Sequence, residues 1–220
     1  MLRTYEKFTM YNFTNKLLNL FLADIDDYFD KHQKDKDFDY YHFNYKPVDL
    51  KEVKYLLDNG ADIDVKDGIN NYGSILSMAV YRQDVDAIKF LIEHGADINK
   101  TNSVIVTALY ISASFNSLIL KILIDAGADV NIANSSGVLP IHSALYAKNF
   151  ESAILLLKSG SNVSTKQYTI NTWLKGKNLE FQKELFNRYP VEFSHIDRDN
   201  ICKKLLDDYD ILQTSNKYNI

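Results

Sequence analysis

The sequence predicts an all-α protein: a solenoid of stacked helix-turn-helix units with helical caps at both ends. Three observations point to it. A segment of a dozen residues is written four times, as LLDNGADIDVKD from Leu56, LIEHGADINKTN from Leu91, LIDAGADVNIAN from Leu123 and LLKSGSNVSTKQ from Leu156. Its glycines, Gly60, Gly95, Gly127 and Gly160, stand 35, 32 and 33 residues apart. Self-similarity at that period marks a repeat array. Ahead of each glycine the apolar residues recur at helical spacing, as Ile88, Leu91 and Ile92 do before Gly95, and a glycine just past a helix end suits a residue with φ > 0.

Each element follows from the chain in order. Phe13, Leu17, Leu18, Phe21, Ile25, Tyr28 and Phe29 lie on one face at helical spacing, which predicts an amphipathic helix over residues 10–31. The apolar run Leu17–Ala23 within it is interrupted by Asn19 and followed by Asp24, Asp26 and Asp27. It is too short to span a bilayer and poorly formed as a cleaved signal. Residues 1–38 are expected to form an N-terminal helical cap, and 39–166 about four repeats, the first degenerate. Residues 167–220 are expected to be a shortened repeat followed by a C-terminal cap helix, because an array exposes an apolar face at each uncapped end. The eight residues Leu56, Leu57, Leu91, Ile92, Leu123, Ile124, Leu156 and Leu157 should be buried by stacking, since no single unit can bury its own core.

The repeats resemble the ankyrin family, whose unit is a β-turn plus two antiparallel helices. The family's T-P-L-H-x-A motif is present in worn form, as SILSMA from Ser74, TALYIS from Thr107 and LPIHSA from Leu139. The last keeps Pro140, His142 and Ala144, and the preceding D-x-x-G survives as NSSG over Asn134–Gly137. Two departures stand out. DGINNYG, Asp67–Gly73, lengthens one hairpin tip by two residues, and the segment before Gly60 has only His42 in place of the motif. The resemblance implies that His142 hydrogen-bonds neighbouring backbone, and that the protein acts by binding another protein.

Composition bounds the function. The chain has 220 residues, a quarter of them charged, with a net charge of −4. That balance argues against a nucleic-acid binder, which needs a basic field. A single cysteine, Cys202, excludes an intrachain disulfide and suits a reducing, cytoplasmic setting. No cofactor or metal is expected. Asp35, Asp37 and Asp39 open like a calcium loop, but Tyr40 and Lys46 stand where the glycine and glutamate belong. The five histidines form no ligand pair at helical spacing, and no glycine-rich phosphate loop occurs. Cys202 follows His195 by seven residues, which reads as a cysteine on the apolar face of a cap helix rather than a nucleophile with its base.

The expected function is therefore a non-catalytic, monomeric interaction module or adaptor, with neither nucleic-acid binding nor membrane insertion. The alternative is an enzyme with its site in residues 170–220, the repeats serving as a docking platform. The resemblance places binding on the hairpin tips and on the concave face made by the short first helices. Aligning the motif gives Tyr72, Val104 and Ser135 at the tips, and Tyr81, Arg82, Phe115 and Tyr146 at the ends of those helices. Tyr81, Phe115 and Tyr146 together would form an exposed aromatic stripe, a composition typical of interface hot spots. The abundance of Asn, Lys, Ile and Tyr suggests a bacterial, parasitic or large-virus source, where similar proteins include host-directed effectors and toxin-neutralising immunity proteins.

Overall fold

A computed structural model describes residues 2–22, 46–68 and 72–162 of the chain. Among them are eight helices: α1 (Leu2–Leu22), α2 (Leu50–Asp58), α3 (Ile75–Tyr81), α4 (Val85–Glu93), α5 (Ala108–Ala113), α6 (Ser117–Asp125), α7 (Pro140–Tyr146) and α8 (Phe150–Lys158). The β-structure among the described residues is one isolated antiparallel bridge, Lys66 to Ser74. The fold is the all-α solenoid expected from the repeat.

Two helix layers run along the array. The short helices α3, α5 and α7 stack in sequence, and each also packs on the longer helix that follows it, α4, α6 or α8. The long helices place one stripe inward: Ala87, Ile88 and Leu91 on α4, Ile119, Leu120 and Leu123 on α6. This i, i+3, i+4 spacing is what a 3.6-residue period demands of a helix with one buried face. Leu56, Leu91, Leu123 and Leu156 are fully enclosed. Their chain neighbours Leu57, Ile92, Ile124 and Leu157 are only half-buried against the same core, because one residue further rotates a side chain by about 100° around the helix. α3 is buried on every side, from Ile75 to Val80.

Caps delimit the helices. Ser74, Asp84, Thr107, Asn116 and Asn149 each accept a backbone N–H from the first turn of the helix they precede. α7 lacks a capping oxygen at Leu139; instead the Leu139 N–H donates to Nδ1 of His142 at 3.0 Å. His142 is itself buried, so the motif histidine serves the backbone of its own repeat.

Each long helix ends the same way. The Gly127 N–H donates to Ile124 O at 2.9 Å and the Ala128 N–H to Leu123 O at 3.0 Å. The same pair recurs at Gly60, Gly95 and Gly160, and all four glycines have φ between 84° and 91°. This is the Schellman closure, with glycine at the left-handed position. A Cβ on Gly127 would meet nothing within 4 Å, so the conformation alone opposes substitution. Gly127→Val is expected to lower the unfolding free energy by about 1–2 kcal/mol, read from urea melts followed by circular dichroism. An unchanged midpoint would remove this role from the glycine.

A ladder of backbone-to-side-chain bonds ties the units together after each closure. The Asp97 N–H donates to Asp64 Oδ1 at 2.8 Å, the Asp129 N–H to Asn99 Oδ1 at 2.9 Å, and the Asn162 N–H to Asn131 Oδ1 at 2.7 Å. The rung before these is supplied by α1, where Thr14 Oγ1 accepts the Asp62 N–H at 2.9 Å.

α1 packs on α2 and α3, the position that a short first helix takes relative to its own long helix and the next unit. Leu17 and Phe21 are fully buried there, with Phe13 and Leu18 packed beside them. The helix differs from the one expected over 10–31. It begins at Leu2, and Ile25, Tyr28 and Phe29 lie outside the described residues, as do Asp35, Asp37, Asp39, His42, His195, Cys202 and the whole segment 170–220.

Candidate functional site

The expected recognition face is made of the hairpin tips and the far ends of the short helices. Two of the tips share one design. The Asn102 N–H donates to Val106 O, and the Asn134 N–H to Val138 O, at 3.2 and 3.0 Å. Asn102 Oδ1 accepts the N–H groups of Val104 and Val106, and Asn134 Oδ1 those of Ser136 and Val138. Each asparagine thereby holds a three-residue loop closed, the local bonding for which Asn is favoured in turns. The remaining tip closes from Asp67 N–H to Gly73 O. Five residues separate that closing pair in the chain, against three in each of the other two tips.

The third loop residue adopts a left-handed conformation: Gly137 has φ 76° and Ile105 φ 58°. Glycine suits a three-residue hairpin at this point, but a β-branched residue there is a steric outlier. Ile105 is nevertheless 44% exposed, and Val104 beside it 42%. Motif alignment marks Val104 and leaves out Ile105. Register with Gly137 was the available signal, since it puts Ile105 at the bulged position that turns its side chain outward. Val106, by contrast, is half-buried against the core. Ile105→Asn is expected to raise the unfolding free energy by about 1 kcal/mol, because asparagine tolerates the left-handed region. Denaturant titration of the two proteins side by side tests this, and a destabilised variant would mean the isoleucine packs better than its exposure indicates.

The structure separates the predicted helix-end residues. Tyr146 stands 70% exposed at the end of α7. Tyr81 is half-buried and meets Tyr72 edge to face, ring centroids 6.0 Å apart. Phe115 is half-buried too and falls out of register with both tyrosines. From the residue capping a short helix to the one capping the next long helix is ten positions for Ser74–Asp84 and Leu139–Asn149, but nine for Thr107–Asn116. The missing residue changes the turn. The Asp84 N–H reaches Ala79 O and the Asn149 N–H reaches Ala144 O around the left-handed residues Gln83 and Lys148, whereas the Asn116 N–H bonds Ser112 O one helical step nearer. Phe115 therefore occupies the place of Gln83 and Lys148. The three rings do not form a continuous exposed stripe.

Arg82 corrects the expectation of an exposed contact. It is 5% exposed, with its guanidinium donating to Lys46 O. Nearby, the Val48 N–H donates to Asp84 Oδ2 at 2.9 Å, while Oδ1 of the same aspartate caps α4. Arg82 and Asp84 thus clasp the chain entering α2. Motif alignment shows where a helix ends but not which distant segment lies across that end. At the tips, Val104 and Ser135 are exposed, and the Ser135 N–H donates to Val104 O at 2.9 Å, joining adjacent tips.

No group of three or more metal-ligating side chains occurs among the described residues, and none of their helices is long and apolar enough to cross a membrane. What the geometry defines is a helix-pair solenoid with a repeated, partly exposed edge, a class of protein whose extended surfaces serve recognition. Residues 76–167 match the family model described as ankyrin repeats (3 copies). Residues 76–167 are thus ankyrin repeats, which indicate a protein–protein interaction module. No curated protein matches the chain.

Proposed function

We propose that this protein is a non-catalytic adaptor that binds another protein through the hairpin tips and the exposed ends of the short helices. The observation that carries this reading is the exposure of large apolar side chains, Val104, Ile105 and Tyr146, at a tip and a short-helix end, positions that the repeat architecture offers to a partner; Met10, Tyr11, Tyr55 and Leu118 are exposed elsewhere. Large side chains that fold into nothing are candidates for burial on binding. Tyr146 in particular combines ring area with a polar hydroxyl, as interface anchors do. The lone cysteine supports a reducing, cytoplasmic setting, and the Asn-, Lys-, Ile- and Tyr-rich composition supports a host-directed effector or a toxin-neutralising immunity protein.

Affinity capture from the native organism and from a host tests the reading when done with three baits. These are the parent chain, a Val104→Ser/Tyr146→Ala double variant, and a Leu118→Ala variant altered on the exposed side of α6, where Leu118 is also solvent-facing. A protein held by the first and third baits and lost from the second supports the proposed face. A partner held equally by all three would move the binding site elsewhere on the chain.

A further inference from the structure

The exposed edge has a property that composition as a whole conceals. A quarter of the chain is charged, yet residues 68–81, 101–116 and 130–147 contain no Asp, Glu, Lys or Arg. Those stretches carry the hairpin tips and the largely buried short helices α3, α5 and α7, and their exposed described residues are Gly68, Ser103, Val104, Ile105, Ser135, Ser136 and Tyr146. The sole ionisable side chain of another kind there, apart from tyrosine, is His142, which is buried with Nδ1 engaged by the Leu139 N–H. Formal charge returns at the margins, with Lys66 and the buried Asp67, Lys100, Asp129 and Lys148. Arg82 borders the face but is enclosed against Lys46 O. The long helices, by contrast, display Lys54 with Asp58 and Lys121 with Asp125 as exposed ion pairs.

We propose that the adaptor's binding face is selective for an uncharged polypeptide segment, one whose apolar side chains meet Val104, Ile105 and Tyr146 and whose amide or hydroxyl groups lie between them. The inference rests on the binding reading above and specifies the chemistry of the partner. A carboxylate or ammonium seated among Val104, Ile105 and the tip serines would lose hydration, and those tips carry no formal charge of their own to replace it. The apolar tip and the phenol ring gain from the same contact without that penalty. Ser103, Ser135 and Ser136 are exposed beside the apolar pair, and hydroxyls exchange water for neutral donors and acceptors with little net cost. Association is then driven by area and hydrogen bonds, with no long-range steering, so its affinity is insensitive to ionic strength.

The test pans a phage-displayed library of random twelve-residue peptides against the full chain, then measures enriched synthetic peptides by calorimetry at low and high sodium chloride. The expected peptides are depleted in charged residues relative to the input library, and their affinity changes less than about twofold between the two salts. Tyr146→Ala and Ser135→Glu each weaken them by roughly tenfold or more, with unchanged melting curves, while Leu118→Ala leaves them alone. Charge-rich peptides whose affinity collapses with salt but still depends on Tyr146 would overturn the uncharged-partner inference and leave the adaptor reading standing. Peptides indifferent to both face variants, or no enrichment at all, would overturn both.

Discussion

Leu123→Ala should lower the unfolding free energy by about 2–5 kcal/mol. Leu123 is fully buried on α6, inside the one contiguous core that runs from α1 to α8. α6 packs on α5 within its own unit and on α8 of the next, so the cavity opens where two units meet. Its carbonyl also accepts the Ala128 N–H that closes the helix end, and that bond survives the substitution because it is backbone to backbone. The predicted loss is thus one of packing. In a nearest-neighbour array a weakened unit also weakens its interfaces, so urea melts should show the whole transition shifted to lower denaturant. A loss below about 1 kcal/mol would mean the units relax around the cavity and that the inter-unit core is not what holds them together.

Tyr146→Ala should do the opposite: leave stability within about 0.5 kcal/mol of the parent and weaken partner binding by about 2 kcal/mol, close to thirtyfold. Its ring is 70% exposed, so truncation removes little that folding had buried. Tyr81→Ala is the natural comparison. That ring is half-buried and set edge to face against Tyr72, and its removal should reduce stability along with any effect on binding. Calorimetry with a captured partner, run beside melting curves, separates the two. If Tyr146→Ala lowers the melting temperature as much as Tyr81→Ala does, the exposed ring is a packing residue and the proposed anchor is lost.

Much of the fold was legible in the chain because the same local solution is written repeatedly. The glycines at 60, 95, 127 and 160 announce helix ends, and the Leu and Ile pairs before them announce a buried stripe. Both are local matters: φ > 0 favours glycine wherever it occurs, and helical period assigns a face without knowledge of neighbours. The candidate site was less legible. Counting from the motif aligns Phe115 with Tyr81 and Tyr146, but α5 is one residue shorter than α3 and α7, which changes the turn and with it the residue's place. Ile105 is not among the motif-aligned tip residues, and its left-handed conformation, which a β-branched residue rarely adopts, is visible only in the structure.

The sequence by itself determined the class of structure, the unit length, the glycine-marked ends of the long repeat helices and the residues able to form a core. These follow from period and from conformational preference, both of which act within a few residues. Only the tertiary structure decided that Arg82 is enclosed by the chain entering α2, that Thr14 of α1 provides the rung before Asp64, and that Tyr146 remains in solvent while Tyr81 does not. Each of these depends on a segment distant in the chain coming to lie against a side chain. Exposure is a property of that arrangement, and a repeating local pattern leaves it open.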